Sequence, residues 1–335
     1  MIEITSTKEL LDPRGRLAVA GYAKHMNFNY DKAAVKCPPL RLKEWDFYQI
    51  HFDGRYVLQL TVGHVSYAMQ VAATILDLAT GERYSVGKIA PRNESFIRNM
   101  PVNPEVPHTL QYFGKNALVQ FEVTEKYRHL TMTLSDNVGI KAEINLLLNN
   151  VSNNKEKMVI AVPFSAPRQW YLNYKENCFV VSGYCRIEDV SYDIKDGFGL
   201  LDWGRGVWPY HHVWVWGNGG TVVNGKHFGF NIGWGFGNTE AATENMFFYD
   251  NKAYKLGIVT EINMGDTYRY VDLDKRFVFS VEPIYDNYTK TSMLWVNNKC
   301  HQVFGKWSGY VVLDDGTKVT IPPFIAFCEK AENNW

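Results

Sequence analysis

Three strand-like runs crowd into the stretch from Phe47 to Leu78: "FYQIHF" (Phe47 to Phe52), "YVLQLTV" (Tyr56 to Val62) and "MQVAATILDL" (Met69 to Leu78). Aromatic and β-branched side chains dominate them, "DGR" joins the first pair, and "ATGE" ends the third, as in an antiparallel meander. "ALVQFEVTE", "HLTMTLS" and "IKAEINLLL" carry the pattern onward. With aromatics at 15% of residues, 26 glycines and few long stretches of helical period, the chain reads as all-β.

The pattern begins again after the polar run "NNVSNNKEK" (Asn149 to Lys157). "CFVVSGYCRI", "HHVWVWG", "HFGFNIGWG", "NMFFYD", "KLGIVTEI", "RFVFSVEPI" and "GYVVLDDGTKVTI" are the strands of this half, with "NGK" and "DDG" as hairpin turns. The halves echo each other. A tryptophan (Trp45, Trp208) leads into an aromatic strand, a second strand follows, and then an acidic turn. Meanders closed to protect their edges give two tandem antiparallel lipocalin-like (calycin) β-barrels, residues 1–155 and 156–335, with a pair of open sandwiches as the alternative.

Thirty-five basic and thirty-five acidic residues give a net charge of zero, which leaves no electrostatic footprint for nucleic acid. No segment has the run of roughly 18 apolar residues that a membrane helix needs, and the N-terminus lacks a signal-type apolar core, so a cytoplasmic location is expected. Cys37, Cys178, Cys185, Cys300 and Cys328 show no CxxC spacing, which argues against a disulfide framework or structural zinc. No cofactor is implied. The sequons at Asn93, Asn150 and Asn287 are expected on exposed turns.

The densest chemistry lies in "DWGRGVWPYHHVWVWGNGG", Asp202 to Gly220. Alternation along a strand from His211 to Trp216 puts His212, Trp214 and Trp216 on one face, expected to be the interior of the second barrel, with Val213 and Val215 outward. On the next strand Phe228, Phe230, Ile232 and Trp234 share a face, and Gly229, Asn231, Gly233 and Gly235 the other, where glycines admit a close neighbour. Gly204 and Gly206 are expected to bend the chain so that Asp202 and Arg205 converge at the second cavity. Tyr210 and His211 complete the motif; the adjacent histidines cannot share a metal ion, because neighbours on a strand face opposite ways. Glu244 and Asn245 precede a further strand, and Lys175 lies in "YLNYKENCFVVSG". Each also has a plainer reading: a turn-forming Asp202, a surface-paired Arg205, a solvated Glu244 or Lys175.

"LLDWGRGVWPYHHVWVWGNG", "RLKEWDFYQIHFDGRYVLQLTVGHVSY", "TENMFFYDNKAYKL" and "HQVFGKWSGYVVLDDG" together resemble a bacterial family of unknown function marked by a D-W-G-R-G-x-W motif. That family is distantly similar to the tandem lipocalin-like proteins of the carotenoid 1,2-hydratase and AttH type. The resemblance implies a double β-barrel with a cavity, and hydratase chemistry that uses an aspartate with nearby histidine and aromatics. Asp202 matches the aspartate; Leu200 stands where those hydratases have a tyrosine.

Alkene hydration needs a proton donor, an aromatic wall for the developing cation and a base for water. Asp202, His212, Glu244 and Arg205 are the candidate catalytic groups, and Trp203, Trp208, Tyr210, His211, Trp214, Trp216, Trp234, Asn245 and Lys175 the candidate ligand-binding ones. A cation close to Asp202 would disfavour it as acid and pass that role to Glu244 or His212. The expected activity is acid/base chemistry, hydratase/lyase-like or isomerase-like, on a hydrophobic or aromatic small molecule. The alternatives are a carrier of such a molecule, with Arg205 holding an anionic group, and a solid scaffold that acts through a partner.

Overall fold

The computed structural model describes residues 1–335 except Pro39, Ser66, 151–154, Leu294, Trp295 and Trp335. Two curled antiparallel sheets, one of twelve strands and one of nine, hold nearly all of the regular structure among these residues. The only α-helix described is Glu94–Asn99, capped by Asn93, whose side chain accepts from the Phe96 amide at 3.0 Å. No helix is long and apolar enough to cross a membrane among the described residues.

The main path of the first sheet starts with the meander Arg83–Pro91, Ala68–Asp77, Tyr56–His64 and Leu42–Phe52. It then passes to Val190–Val207, Trp170–Ile187, Lys141–Asn149, Tyr127–Ser135, Ala117–Val123 and His108–Gly114. The second sheet repeats this plan: the meander Lys252–Lys255, Met246–Tyr249, Lys226–Trp234 and His211–Val223 is followed by Lys318–Asn334, Val296–Val312, Phe277–Met293, Tyr268–Asp272 and Val259–Asn263. In both, the strand of the meander that comes first in the chain, Leu42–Phe52 or His211–Val223, pairs with the last strand of the unit, so the echo in the sequence is a repeat of topology. Trp45 and Trp208, its two leading tryptophans, pack edge to face with centroids 5.4 Å apart.

The all-β tandem lipocalin-like architecture is as expected, with each unit a half-barrel curled round its own core. Tyr48, Leu60, Phe121, Leu146, Phe179 and Trp203 fill the first, and Phe228, Phe230, Phe277, Phe279 and Trp307 the second. The division between them differs from the expected 155/156. Strands Met158–Pro163, Trp170–Ile187 and Val190–Val207 belong to the first sheet, and the second begins at His211. No division falls at the polar run from Asn149: the strand before it and the strand after it both pair with Trp170–Ile187. Asn287 also departs from expectation. It is buried in strand Phe277–Met293 and donates to Gln302 Oε1 at 3.2 Å.

The backs of the sheets pack on each other. Leu200, Trp216, Phe304 and Phe327 form one apolar contact between them, and Tyr171, Trp208, Met246 and Phe248 another. A strand at such a junction is buried on both faces.

Candidate functional site at the junction of the two sheets

Strand Val190–Val207 runs unbent through the D-W-G-R-G motif, paired throughout it with Trp170–Ile187 on one side and Leu42–Phe52 on the other. Its alternation sends Leu200 and Asp202 to the back of the first sheet and Leu201, Trp203 and Arg205 into the first core. Gly204 is required by space. A Cβ there would lie 2.0 Å from the Trp45 ring. The expected convergence of Asp202 and Arg205 therefore does not occur, because residues three apart on a regular strand face opposite ways.

On the back face, the neighbouring strand Trp170–Ile187 supplies Lys175 and Asn173. Lys175 Nζ lies 3.1 Å from Asp202 Oδ1 and 3.6 Å from Glu244 Oε2, bridging the two carboxylates. Its ammonium also sits over the Trp216 ring at 3.8 Å. Asn173 Nδ2 donates to Asp202 Oδ1 at 2.7 Å. From the second sheet, Asn231 Nδ2 donates to Glu244 Oε2 at 3.3 Å, and Asn231 Oδ1 accepts from Trp216 Nε1 at 2.7 Å. Burial pushes the Glu244 carboxyl above its ordinary value, and Asp202 adds to this against the pull of Lys175.

An aromatic wall adjoins the cluster. Phe236 stands at its centre, 4.7 Å from Tyr171, 5.4 Å from Trp208, 5.6 Å from His212 and 5.7 Å from Trp214 by ring centroids. His212 stacks on Trp214 at 5.7 Å. His212 Nδ1 lies 3.1 Å from the Pro209 carbonyl, a contact that requires Nδ1–H and makes Nε2 the basic nitrogen. Burial holds this imidazole down at about 4, so it is neutral at pH 7. Burial, followed by the charges of Glu244 and Asp202, keeps the Tyr171 phenol far above its ordinary value and therefore protonated. Lys43, over the Trp208 ring at 4.7 Å, is lowered to about 7 by burial.

Arg205 has a different environment. Its guanidinium donates to Asp46 Oδ1 at 2.9 Å, to the Pro101 carbonyl at 2.9 Å and to the Trp45 carbonyl at 2.6 Å, and lies 3.8 Å above Trp203. Glu44 is 3.5 Å from Arg205 Nε and also takes Tyr30 Oη at 2.9 Å and His64 Nε2 at 2.7 Å. Burial alone would raise the Glu44 carboxyl; the His64 hydrogen bond and the Arg205 and Lys32 cations outweigh it and hold it below its ordinary value. Every group in this knot faces another, inside a core.

A family profile described as "Domain of unknown function (DUF2804)" matches residues 1–335. The chain belongs to the DUF2804 family. No curated protein matches it in sequence. Among solved structures, this DUF2804 chain is similar to CghA bound to Sch210972, with a TM-score of 0.54, 10% identity and 97% of each chain covered. It is similar to kievitone hydratase from Nectria haematococca, with a TM-score of 0.50, 10% identity and 98% of each chain covered. A protein from Nitrosomonas europaea carrying the AttH name gives a TM-score of 0.50 and 11% identity over 90% of this chain and 95% of its own. At these identities the likeness is one of fold.

Of the residues singled out by sequence, the DUF2804 fold brings Asp202, Lys175, Glu244 and Trp216 together and sets His212, Trp208 and Trp214 in the adjoining wall. It draws Arg205 and Trp203 into the first core and packs the half-buried Trp234 against the second. Asn245 is structural: its Oδ1 accepts from the Gly233 amide at 2.7 Å and its Nδ2 donates to the Gly257 carbonyl at 2.8 Å. Tyr210 is exposed, and His211 pairs with Asn334 at 2.9 Å on the face opposite His212. The register of His211–Val223 is shifted by one from expectation. Val215 packs against the second core, Val213 is exposed, and His212, Trp214 and Trp216 face the first sheet.

Sequence reasoning missed Asn173, Asn231, Tyr171, Phe236, Lys43 and Glu329. Glu329 accepts from Trp214 Nε1 at 2.7 Å and from Gln302 Nε2 at 3.1 Å, and burial raises its carboxyl to about 7. One signal was present for Asn173. Asn173, Lys175 and Asn177 alternate with Leu172, Tyr174 and Glu176, a polar stripe in a strand flanked by apolar runs. Among the described residues, no three His, Cys, Asp or Glu side chains are grouped to hold a metal ion.

Proposed function

We propose that this protein is an acid/base enzyme for a hydrophobic or aromatic small molecule, of hydratase/lyase type, working at the junction of the two sheets. The observation that carries this reading is the Lys175 bridge between Asp202 and Glu244 beside an aromatic wall that contains a neutral histidine. Buried carboxylates of unlike environment next to a dry wall divide naturally into acid and base roles.

Glu244, raised by burial, is the proton donor to the alkene carbon. Water adds its oxygen to the neighbouring carbon and passes a proton to His212 Nε2, so that one water is added across the double bond. The aromatic faces stabilise positive charge that develops between the two events. Asp202, held by Lys175 and Asn173, orients the water; the resemblance in sequence sets it against the hydratase aspartate. The fold-level likeness to kievitone hydratase supports the reaction class. A cytoplasmic setting accords with five free cysteines.

The test is incubation with a panel of prenylated and aromatic alkenes in ¹⁸O-labelled water, read by mass spectrometry. The parent should incorporate label into at least one member. Asp202→Asn and Glu244→Gln should lower the rate by about a hundredfold or more while retaining the fold. Equal rates in parent and variants would remove the cluster from the reaction.

A further inference from the structure

A cleft of about 930 Å³ lies apart from the junction site, at the end of strand Val190–Val207, where Val207 forms part of its wall. Arg14, Arg16, Lys36, Arg41 and Arg168 all line it, over an apolar surface that includes Val35, Cys37 and Ala166. In a chain of zero net charge, this is a marked local excess of cations.

Three backbone turns hold these cations in place. Asp12 accepts from the Arg14 and Arg16 amides at 2.9 Å each and so fixes the turn that carries both arginines. Gly15, with φ +75°, packs so closely on Lys36 that a Cβ would lie 2.6 Å from the Lys36 Cβ. Arg168 Nε donates to the Arg14 carbonyl at 3.1 Å, joining the third turn to the first. Lys36 Nζ donates to the Ala33 carbonyl at 3.1 Å, and Arg41 donates to the Trp208 carbonyl. Among the described residues, Arg16 is the one cation of the five with a carboxylate partner, Asp12 at 2.8 Å. Lys36, Arg41 and Arg168 are met by backbone carbonyls, which orient a cation without neutralising it.

We propose that this cleft binds an organic anion, a carboxylate or phosphate carried on an apolar body. The apolar surface takes the body, and Arg14, Lys36, Arg41 and Arg168 take the charge, in the forked geometry that suits arginine to such groups. The site is independent of the reaction proposed at Asp202 and stands or falls separately.

Cys37, partly exposed on the cleft wall, supplies the readout, with Cys300, partly exposed in the second sheet, as internal control. Burial pushes both thiols up, so the full chain is alkylated slowly with iodoacetamide at pH 8.5 and the two peptides are followed by mass spectrometry. Decanoate should slow labelling of Cys37 at least about threefold, leave Cys300 unchanged and lose its effect in 0.5 M salt, where exposed charges are screened. Decanol and inorganic phosphate at the same concentration should not protect. The triple variant Arg14→Gln/Lys36→Gln/Arg168→Gln should abolish protection, while Arg14→Lys/Arg168→Lys, which keeps the charge and serves as the folding control, should retain part of it. Equal protection by decanol or by phosphate, no protection by decanoate, or protection that survives the triple variant would each overturn the proposal.

Discussion

Asp202 and Arg205 stand three residues apart on one strand and serve opposite sides of it. The carboxylate meets Lys175 at 3.1 Å between the sheets, and the guanidinium meets Asp46 at 2.9 Å inside the first core. The D-W-G-R-G motif thus joins two polar centres through one stretch of backbone. One faces the proposed chemistry, and the other fixes the strand that carries it.

Arg205 is accordingly a folding residue. Arg205→Met strips Glu44 and Asp46 of their buried cation and should cost about 3–5 kcal/mol, the usual cost of breaking a buried pair from one side. Arg205→Lys should recover little, since one ammonium cannot reach Asp46 and the Pro101, Trp45 and Gly204 carbonyls together. Urea unfolding checks both. A loss under about 1 kcal/mol would place the knot among weak surface-type pairs.

Lys175 is coupled to two carboxylates, so its removal should be costly and partly reversible. Lys175→Met should lose about 3 kcal/mol. Adding Asp202→Asn should return about half, because it removes one of the two carboxylates left without their cation, and burial already raises the other, Glu244. Urea midpoints for the two single variants and the double measure the coupling directly. Strict additivity would mean that the bridge contributes nothing.

Gly204 tests the packing of the motif. Gly204→Ala drives a methyl into the Trp45 ring and should cost about 1–3 kcal/mol by overpacking. Gly257→Ala, where a Cβ meets nothing within 4 Å, should stay within about 0.5 kcal/mol of the parent. Thermal melts of the two, side by side, separate steric need from a general intolerance of glycine replacement.

The tandem all-β plan was legible because hairpin turns and alternation are local signals, and four site residues were legible because Asp202, Lys175, Glu244 and Trp216 are polar or large in apolar surroundings. Two things were not. Alternation identified the paired faces of His211–Val223, but from Val215 to Gly219 both faces are covered, one by the second core and one by the first sheet, so hydrophobicity had no way to rank them. The unit boundary was hidden because Leu42–Phe52 pairs with Val190–Val207 across well over a hundred residues of sequence. A polar linker marks a loop; only that distant pairing marks where a sheet ends.

Glu329 carries the pH dependence most accessible to measurement. Its carboxyl, ordinarily at 4.5, is raised by burial to about 7 in the fold. Between pH 4.5 and 7 the folded chain therefore keeps a proton that the unfolded chain releases, so this group's contribution is fully present below 4.5 and lost as pH rises through 7. The buried His212 and the half-buried His51, both held down at about 4 by desolvation, act in the opposite direction: their contribution is present above 6.5 and lost as pH falls toward 4. Those contributions are common to the parent and to Glu329→Gln and cancel in their difference. Glutamine still accepts from Trp214 but cannot ionise. Relative to the parent, Glu329→Gln should therefore gain about 2–3 kcal/mol between pH 5 and pH 8, since each tenfold change in proton affinity is worth about 1.4 kcal/mol. Urea midpoints of the two proteins at both pH values read this gap. A gap that does not move, or one that moves in the parent's favour, would mean that Glu329 is ionised in the folded protein at pH 5 and that Trp214 and Gln302 hold a carboxylate between the sheets.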